Sequence, residues 1–148
     1  MSIAMDPWSN DLPIIWVDHE NFHEAVFGRI FNDRRPNRHP LAVVHVITIE
    51  HIKETVKLAN QLKCQIAIRS GGHSWAAWSV RDSSLLIDLG ALESLSFDAE
   101  SGIVKVAPAI TAQKLDSFLS EKGRIFPGPH CPSVGLGGFL YFISQHNF

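Results

Sequence analysis

Cysteine is scarce: the 148 residues hold two, Cys64 and Cys131. Two thiols cannot build the disulfide framework of a small secreted scaffold, and their spacing fits no zinc pattern. Charge of one sign is equally scarce. Lys and Arg number 13 against 15 Asp and Glu, a net charge of −2. No nucleic-acid partner is expected from that balance. The basic stretch Arg34-Arg35-Pro36-Asn37-Arg38-His39 is short and broken by proline, so it reads as a solvated loop. No run approaches the ~18 apolar residues of a membrane span. Residues 1–11 carry Asp6 and Asp11 and no apolar centre for a secretory leader, so the default compartment is cytoplasmic.

What is present suits a packed domain. The chain is 45% hydrophobic, and its length lies in the usual ~100–200 residue range of one domain. Residues 21–31 space Phe22, Val26, Phe27, Ile30 and Phe31 along one face of a short helix. Residues 41–46 form a continuous apolar run, the pattern of a strand buried on both faces. Thr48 then caps a helix to about Leu62, with Ile47 and Ile52 as a hydrophobic staple and Ile49, Ile52, Val56 and Ala59 on its apolar face. Gln65-Ile66-Ala67-Ile68 reads as a second buried strand, completing a right-handed βαβ unit. A third strand covers residues 84–89. A hairpin pairs residues 95–97 with 103–106 about the turn at 98–102. Thr111 caps a further helix with Ile110 and Leu115 as its staple and Gly123 at its end.

Two glycine-rich loops carry the chemistry. The first, Arg69-Ser70-Gly71-Gly72-His73-Ser74, follows the second strand at its carboxyl end, the edge where open α/β sheets bind ligands. Glycines there permit positive φ and let backbone amides approach an anion, such as a pyrophosphate, with His73 beside them. The second loop runs from Gly128 through Cys131, Val134, Gly135 and Gly137 to Gly138. Cys131 sits in an accessible setting, whereas Cys64 reads as a buried, inert thiol. His73, His130 and Cys131 are read as holding no metal-ligand spacing, so no metal is expected. No Gly-x-Ser-x-Gly elbow or Walker-type lysine is present, which argues against hydrolase and NTPase chemistry.

Set together, Ile68 to Ser74, Asp82 to Leu89 and Cys131 to Gly138 resemble the FAD-linked oxidases of the vanillyl-alcohol-oxidase type, and within them the berberine-bridge-enzyme-like group. The resemblance runs from about residue 31 to 140. It implies an α/β to α+β fold: an incomplete PCMH-type FAD-binding domain, with its N-terminal βαβ subdomain and the start of a second subdomain. The expected division is a lead-in with a short helix at 1–39, the partial FAD-binding domain at 40–140, and a tail at 141–148 that matches nothing. The resemblance further implies FAD held by Arg69, Ser70, Gly71, Gly72, His73, Ser74, Cys131, Val134, Gly135, Gly137 and Gly138. His73 would bond to the 8α-methyl carbon of the isoalloxazine and Cys131 to its C6. Such links withdraw electron density and help the flavin take hydride from a poor donor.

The intact family oxidises an alcohol or similar C–H donor, with a small-molecule substrate and O2 as partners. Its catalytic base belongs to a C-terminal part with no counterpart here, so no catalytic residue is assigned. Pro129 and Ala112 stand where relatives often have glycine. The residues from Tyr141 depart from the family, pointing to a truncated product. The alternative is an inactive remnant or a small α/β binding module.

Overall fold

The computed structural model describes residues 12–145. The stretch read for a secretory leader and the end of the expected tail lie outside them. The elements, in chain order, are β1 (Ile14–Trp16), α1 (Phe22–Phe27), β2 (Ala42–His45), α2 (Ile49–Leu62), β3 (Gln65–Arg69) and β4 (Ser84–Asp88). They continue with β5 (Leu95–Asp98), β6 (Ile103–Val106), α3 (Ala112–Ser120) and α4 (Leu136–Gln145).

Four strands make one sheet in the order β1-β2-β4-β3. β4 runs parallel to both β2 and β3, and β1 pairs antiparallel with β2. All five residues of β4 are buried: the apolar run Leu85-Leu86-Ile87 suits a central strand, and the polar Ser84 and Asp88 at its ends are buried with it. Alternate residues serve opposite faces. Val43, Ala67 and Leu86 pack with Ala25, Val26 and Ile30 around α1. Ala42 and Leu85 pack with Leu58 and Ala59 of α2. A second unit follows, where the β5–β6 hairpin, α3 and Leu136 enclose Ala107, Ile110, Leu115 and Leu119. Thr111 caps α3 by accepting from the Lys114 N–H at 3.3 Å.

Several expectations are corrected. β1 was not anticipated; three residues are too few to show a period. α1 stops at Phe27, so Phe31 lies beyond the helix. In α2 the buried residues are Thr55, Leu58 and Ala59, whereas Ile49 is 66% exposed and Val56 is also exposed. Thr55 tolerates burial because its hydroxyl donates to the His51 carbonyl at 2.7 Å. Ile47 is exposed too, so it forms no staple with Ile52. β3 is an edge strand among the described residues: Ile68 is 61% exposed, and Ala67 and Arg69 are its buried members. Among the described residues no helix is long and apolar enough to cross a membrane.

Candidate functional site

Strand register aligns three polar residues at the carboxyl edge of the sheet: His45 opposite Asp88, and Arg69 opposite Asp88. Asp88 and Arg69 are buried, and a buried charge must be paired. Arg69 donates to Asp88 Oδ2 from Nε at 3.1 Å and from Nη2 at 2.6 Å. It also donates to the carbonyls of Val26 (2.5 Å) and Ala25 (2.6 Å), which satisfies the end of α1. Asp88 Oδ1 accepts from Arg29 and from the Gly90 N–H at 2.8 Å. Arg29 in turn donates to the Ser70 carbonyl at 2.8 Å, and the Phe31 N–H donates to the Gly72 carbonyl at 3.3 Å. The Ser-Gly-Gly turn is thus held from below by the segment after α1. A cavity of about 260 Å3 lies beside this set, lined by residues including Asn21, Glu24, Arg29 and His45. Burial pulls His45 below its ordinary range, against the raising effect of Asp88 and with Arg69 and Arg29 adding to the fall.

Two glycines have no tolerable replacement here. Gly72 has φ +74°, and a Cβ on it would overlap the Arg29 carbonyl, 3.0 Å from its carbon. A Cβ on Gly71 would overlap the Gly135 amide and lie 2.7 Å from its Cα. The two glycine loops therefore touch backbone to backbone. The second loop is anchored on the hairpin unit: the N–H groups of Ala112 and Gln113 donate to Val134 and Pro132 carbonyls at 3.0 Å, and Gly137 N–H donates to the Pro108 carbonyl at 2.8 Å.

Across this junction His73 Nε2 lies 3.0 Å from Ser133 Oγ, which lies 3.4 Å from Cys131 Sγ. The imidazole stacks on Phe31, ring centroids 4.6 Å apart at 12°, and Trp75 meets Phe31 edge-on. Burial lowers the His73 pKa, so the ring is neutral and nucleophilic at neutral pH. The Ser133 hydroxyl, then the Ser133 backbone, lower that of the exposed Cys131 thiol. This donor set fits a flavin ring: a neutral imidazole and an exposed, acidified thiol are linked through Ser133, on two loops whose glycine junction only Cβ-free backbone can form.

Not every expected contact converges. The Arg69 guanidinium lies beneath the turn with its bonds committed to Asp88, Ala25 and Val26. The Ser74 hydroxyl accepts from the Trp78 N–H at 3.1 Å, stabilising the next turn. Gly137 packs against Pro108, whereas Gly138 borders open space. Ser133, Arg29, Phe31 and Asp88 were not among the expected site residues. Asp88 had a signal, a carboxylate closing a strand whose middle, Leu85-Leu86-Ile87, is apolar; Arg29 had none. A metal-ligand spacing does exist, contrary to expectation: His19-Glu20-Asn21-Phe22-His23 spells H-E-x-x-H. α1 begins only at Phe22, so His19 precedes the helix and its Nδ1 accepts from the Asn21 N–H at 3.1 Å. No cluster of three or more potential metal ligands occurs among the described residues.

A mostly parallel sheet whose carboxyl edge offers a Gly-Gly turn to a second, helix-opening glycine loop defines an incomplete PCMH-type FAD-binding fold. The chain belongs to the FAD binding domain family, whose model matches residues 40–141. It is 44% identical over 132 residues to the FAD-linked oxidoreductase janO of Penicillium janthinellum, covering 88% of this chain and 29% of that relative. It therefore spans well under half of that protein's length. Among solved structures, 6-hydroxy-D-nicotine oxidase from Arthrobacter nicotinovorans shares the fold at TM-score 0.78 and 20% identity, covering 91% of this chain and 29% of the other. Xylooligosaccharide oxidase from Myceliophthora thermophila, solved with xylobiose, matches at TM-score 0.74 and 29% identity, covering 86% and 27%.

Proposed function

We propose that residues 40–140 are the FAD-binding portion of an FAD-linked oxidase and that His73 and Cys131 attach the flavin covalently, at the 8α-methyl carbon and at C6. The observation that carries this reading is the hydroxyl-linked pair His73–Ser133–Cys131, drawn from loops 60 residues apart. Gly71 and Gly135 close the two loops on each other, and Gly72 supplies the positive φ of the turn. The His73 imidazole, neutral and held flat by Phe31, has a lone pair to give. The Cys131 thiol is exposed and acidified by Ser133. When bound, the flavin would supply hydride acceptance at N5 from an alcohol or similar C–H donor, with O2 as the final acceptor. Residues 14–27 add a strand and a helix to the same core, so the lead-in acts as part of the binding unit.

The test is to express the chain, incubate it with FAD, precipitate it with acid, and measure flavin fluorescence and polypeptide mass. Flavin should stay attached, His73→Ala and Cys131→Ala should each remove one link, and the double variant should release all of it. A wild-type chain that precipitates colourless would overturn the attachment and favour the remnant reading.

A further inference from the structure

Ser133 makes two bonds that no other side chain makes. Its hydroxyl is the bridge between Cys131 Sγ at 3.4 Å and His73 Nε2 at 3.0 Å. Cys131 and Ser133 are two residues apart in a loop turned by the Val134 N–H to Cys131 carbonyl bond at 3.2 Å and anchored to the start of α3 by Gln113 N–H to Pro132 carbonyl and Ala112 N–H to Val134 carbonyl, both at 3.0 Å. His73 is fixed from the other side by its stack on Phe31. The three side chains therefore meet because two separately anchored loops bring them together. No charged group accounts for their state: the Cys131 thiol responds to Ser133, and His73 to burial. His130 adjoins the thiol along the chain, and the Arg29–Asp88–Arg69 set behind the turn is paired within itself.

A hydroxyl both accepts and donates, so one at this position can serve a thiol and an imidazole at once. We propose that Ser133 is a positioning residue that passes the Cys131 proton to His73 Nε2, so that the thiolate forms while the imidazole holds the proton, and the imidazole regains its lone pair when that proton leaves. The S–H bond breaks as a new Oγ–H bond forms. The original Oγ–H bond breaks as an Nε2–H bond forms. The electron pair stays on sulfur, and nothing is oxidised or reduced. The purpose of the relay rests on the reading of His73 and Cys131 as flavin-attachment residues, but its existence is measurable in the chain alone.

The experiment is the rate of Cys131 alkylation by iodoacetamide across a pH series, followed by peptide-resolved mass because Cys64 is a second free thiol. Ser133→Ala should slow alkylation at neutral pH by about threefold or more and move the midpoint upward. Its plateau at high pH should be undiminished, since a less stabilised thiolate is the better nucleophile. Ser133→Thr keeps the hydroxyl and should restore the wild-type profile. His73→Ala should behave as Ser133→Ala.

An unchanged midpoint in Ser133→Ala overturns the relay, and so does a wild-type profile in His73→Ala. A plateau that falls as far as the neutral rate would show that the loop merely lost its shape, which also overturns it. Flavin retention measured on the same preparations separates the two readings. A wild-type chain that keeps the relay profile but retains no flavin refutes the attachment and leaves the relay standing. Attached flavin with unaltered profiles in the variants does the reverse.

Discussion

Asp88→Asn tests the node beneath the glycine turn. Asp88 and Arg69 are each 1% exposed at the side chain. The two carboxylate oxygens accept four hydrogen bonds: Oδ1 from Arg29 and Gly90, Oδ2 twice from Arg69. Every partner is a donor. An amide in either orientation would turn its NH2 toward two donors and leave a buried guanidinium without its counter-ion. Breaking a buried pair this way costs about 3–5 kcal/mol. Against a net stability of about 5–15 kcal/mol, that is a large fraction.

The corresponding fall in melting temperature is about 6–20 °C, at 2–4 °C per kcal/mol for a domain of this size. Circular dichroism melts and urea titrations of both chains provide the assay. Asp88→Leu combined with Arg69→Met removes both charges, and should recover part of the loss. Recovery should be incomplete, because the Ala25 and Val26 carbonyls lose the donors that Arg69 supplied. A loss below about 1 kcal/mol in Asp88→Asn would refute the reasoning, since it would mean Arg69 finds another partner or water.

Further outcomes concern the junction and the edge histidine. Gly71→Ala should force the two glycine loops apart and cut flavin attachment by about tenfold or more, because small misplacement of reacting groups is costly. The flavin-to-protein absorbance ratio after denaturation reports it, and wild-type loading would contradict the close approach. His45 is held below its ordinary 6.5 by burial, and His73 shifts the same way. The unfolded chain then binds more protons, so stability should fall as pH drops through 6.5 and level off once the folded groups are protonated. His45→Gln should flatten part of that slope in urea midpoints measured across a pH series. An identical slope would exclude His45 as a contributor.

Much of the architecture was legible in the chain. The apolar run at residues 85–87 marked a strand, and Thr48 and Thr111 marked helix starts that their hydroxyls do cap. The glycines at 71, 72, 135 and 137 marked where backbone needed room, whereas Gly138 borders open space. These are local signals, read from side-chain size, turn chemistry and apolar spacing. β1 left too short a trace, and the face of α2 was misjudged because Thr55 is buried through its own backbone bond. β3 looked internal because Ile66 and Ile68 are apolar, yet sheet order puts it at an edge. Sheet order depends on which strands pair across long stretches of chain, and no local pattern encodes that.

The site divides in the same way. The two loops, with His73 and Cys131 in them as candidate residues, were legible in the sequence alone, because each motif carries its own turn chemistry. That Gly71 meets Gly135, that Ser133 links a thiol to an imidazole 58 residues away from it in sequence, and that Arg69 turns inward to Asp88 were decided only by tertiary structure. The physical reason is common to all three. A side chain's partner is set by where burial and backbone hydrogen bonding place the rest of the chain, and a buried charge or a Cβ-free contact takes its meaning from what lies across the gap.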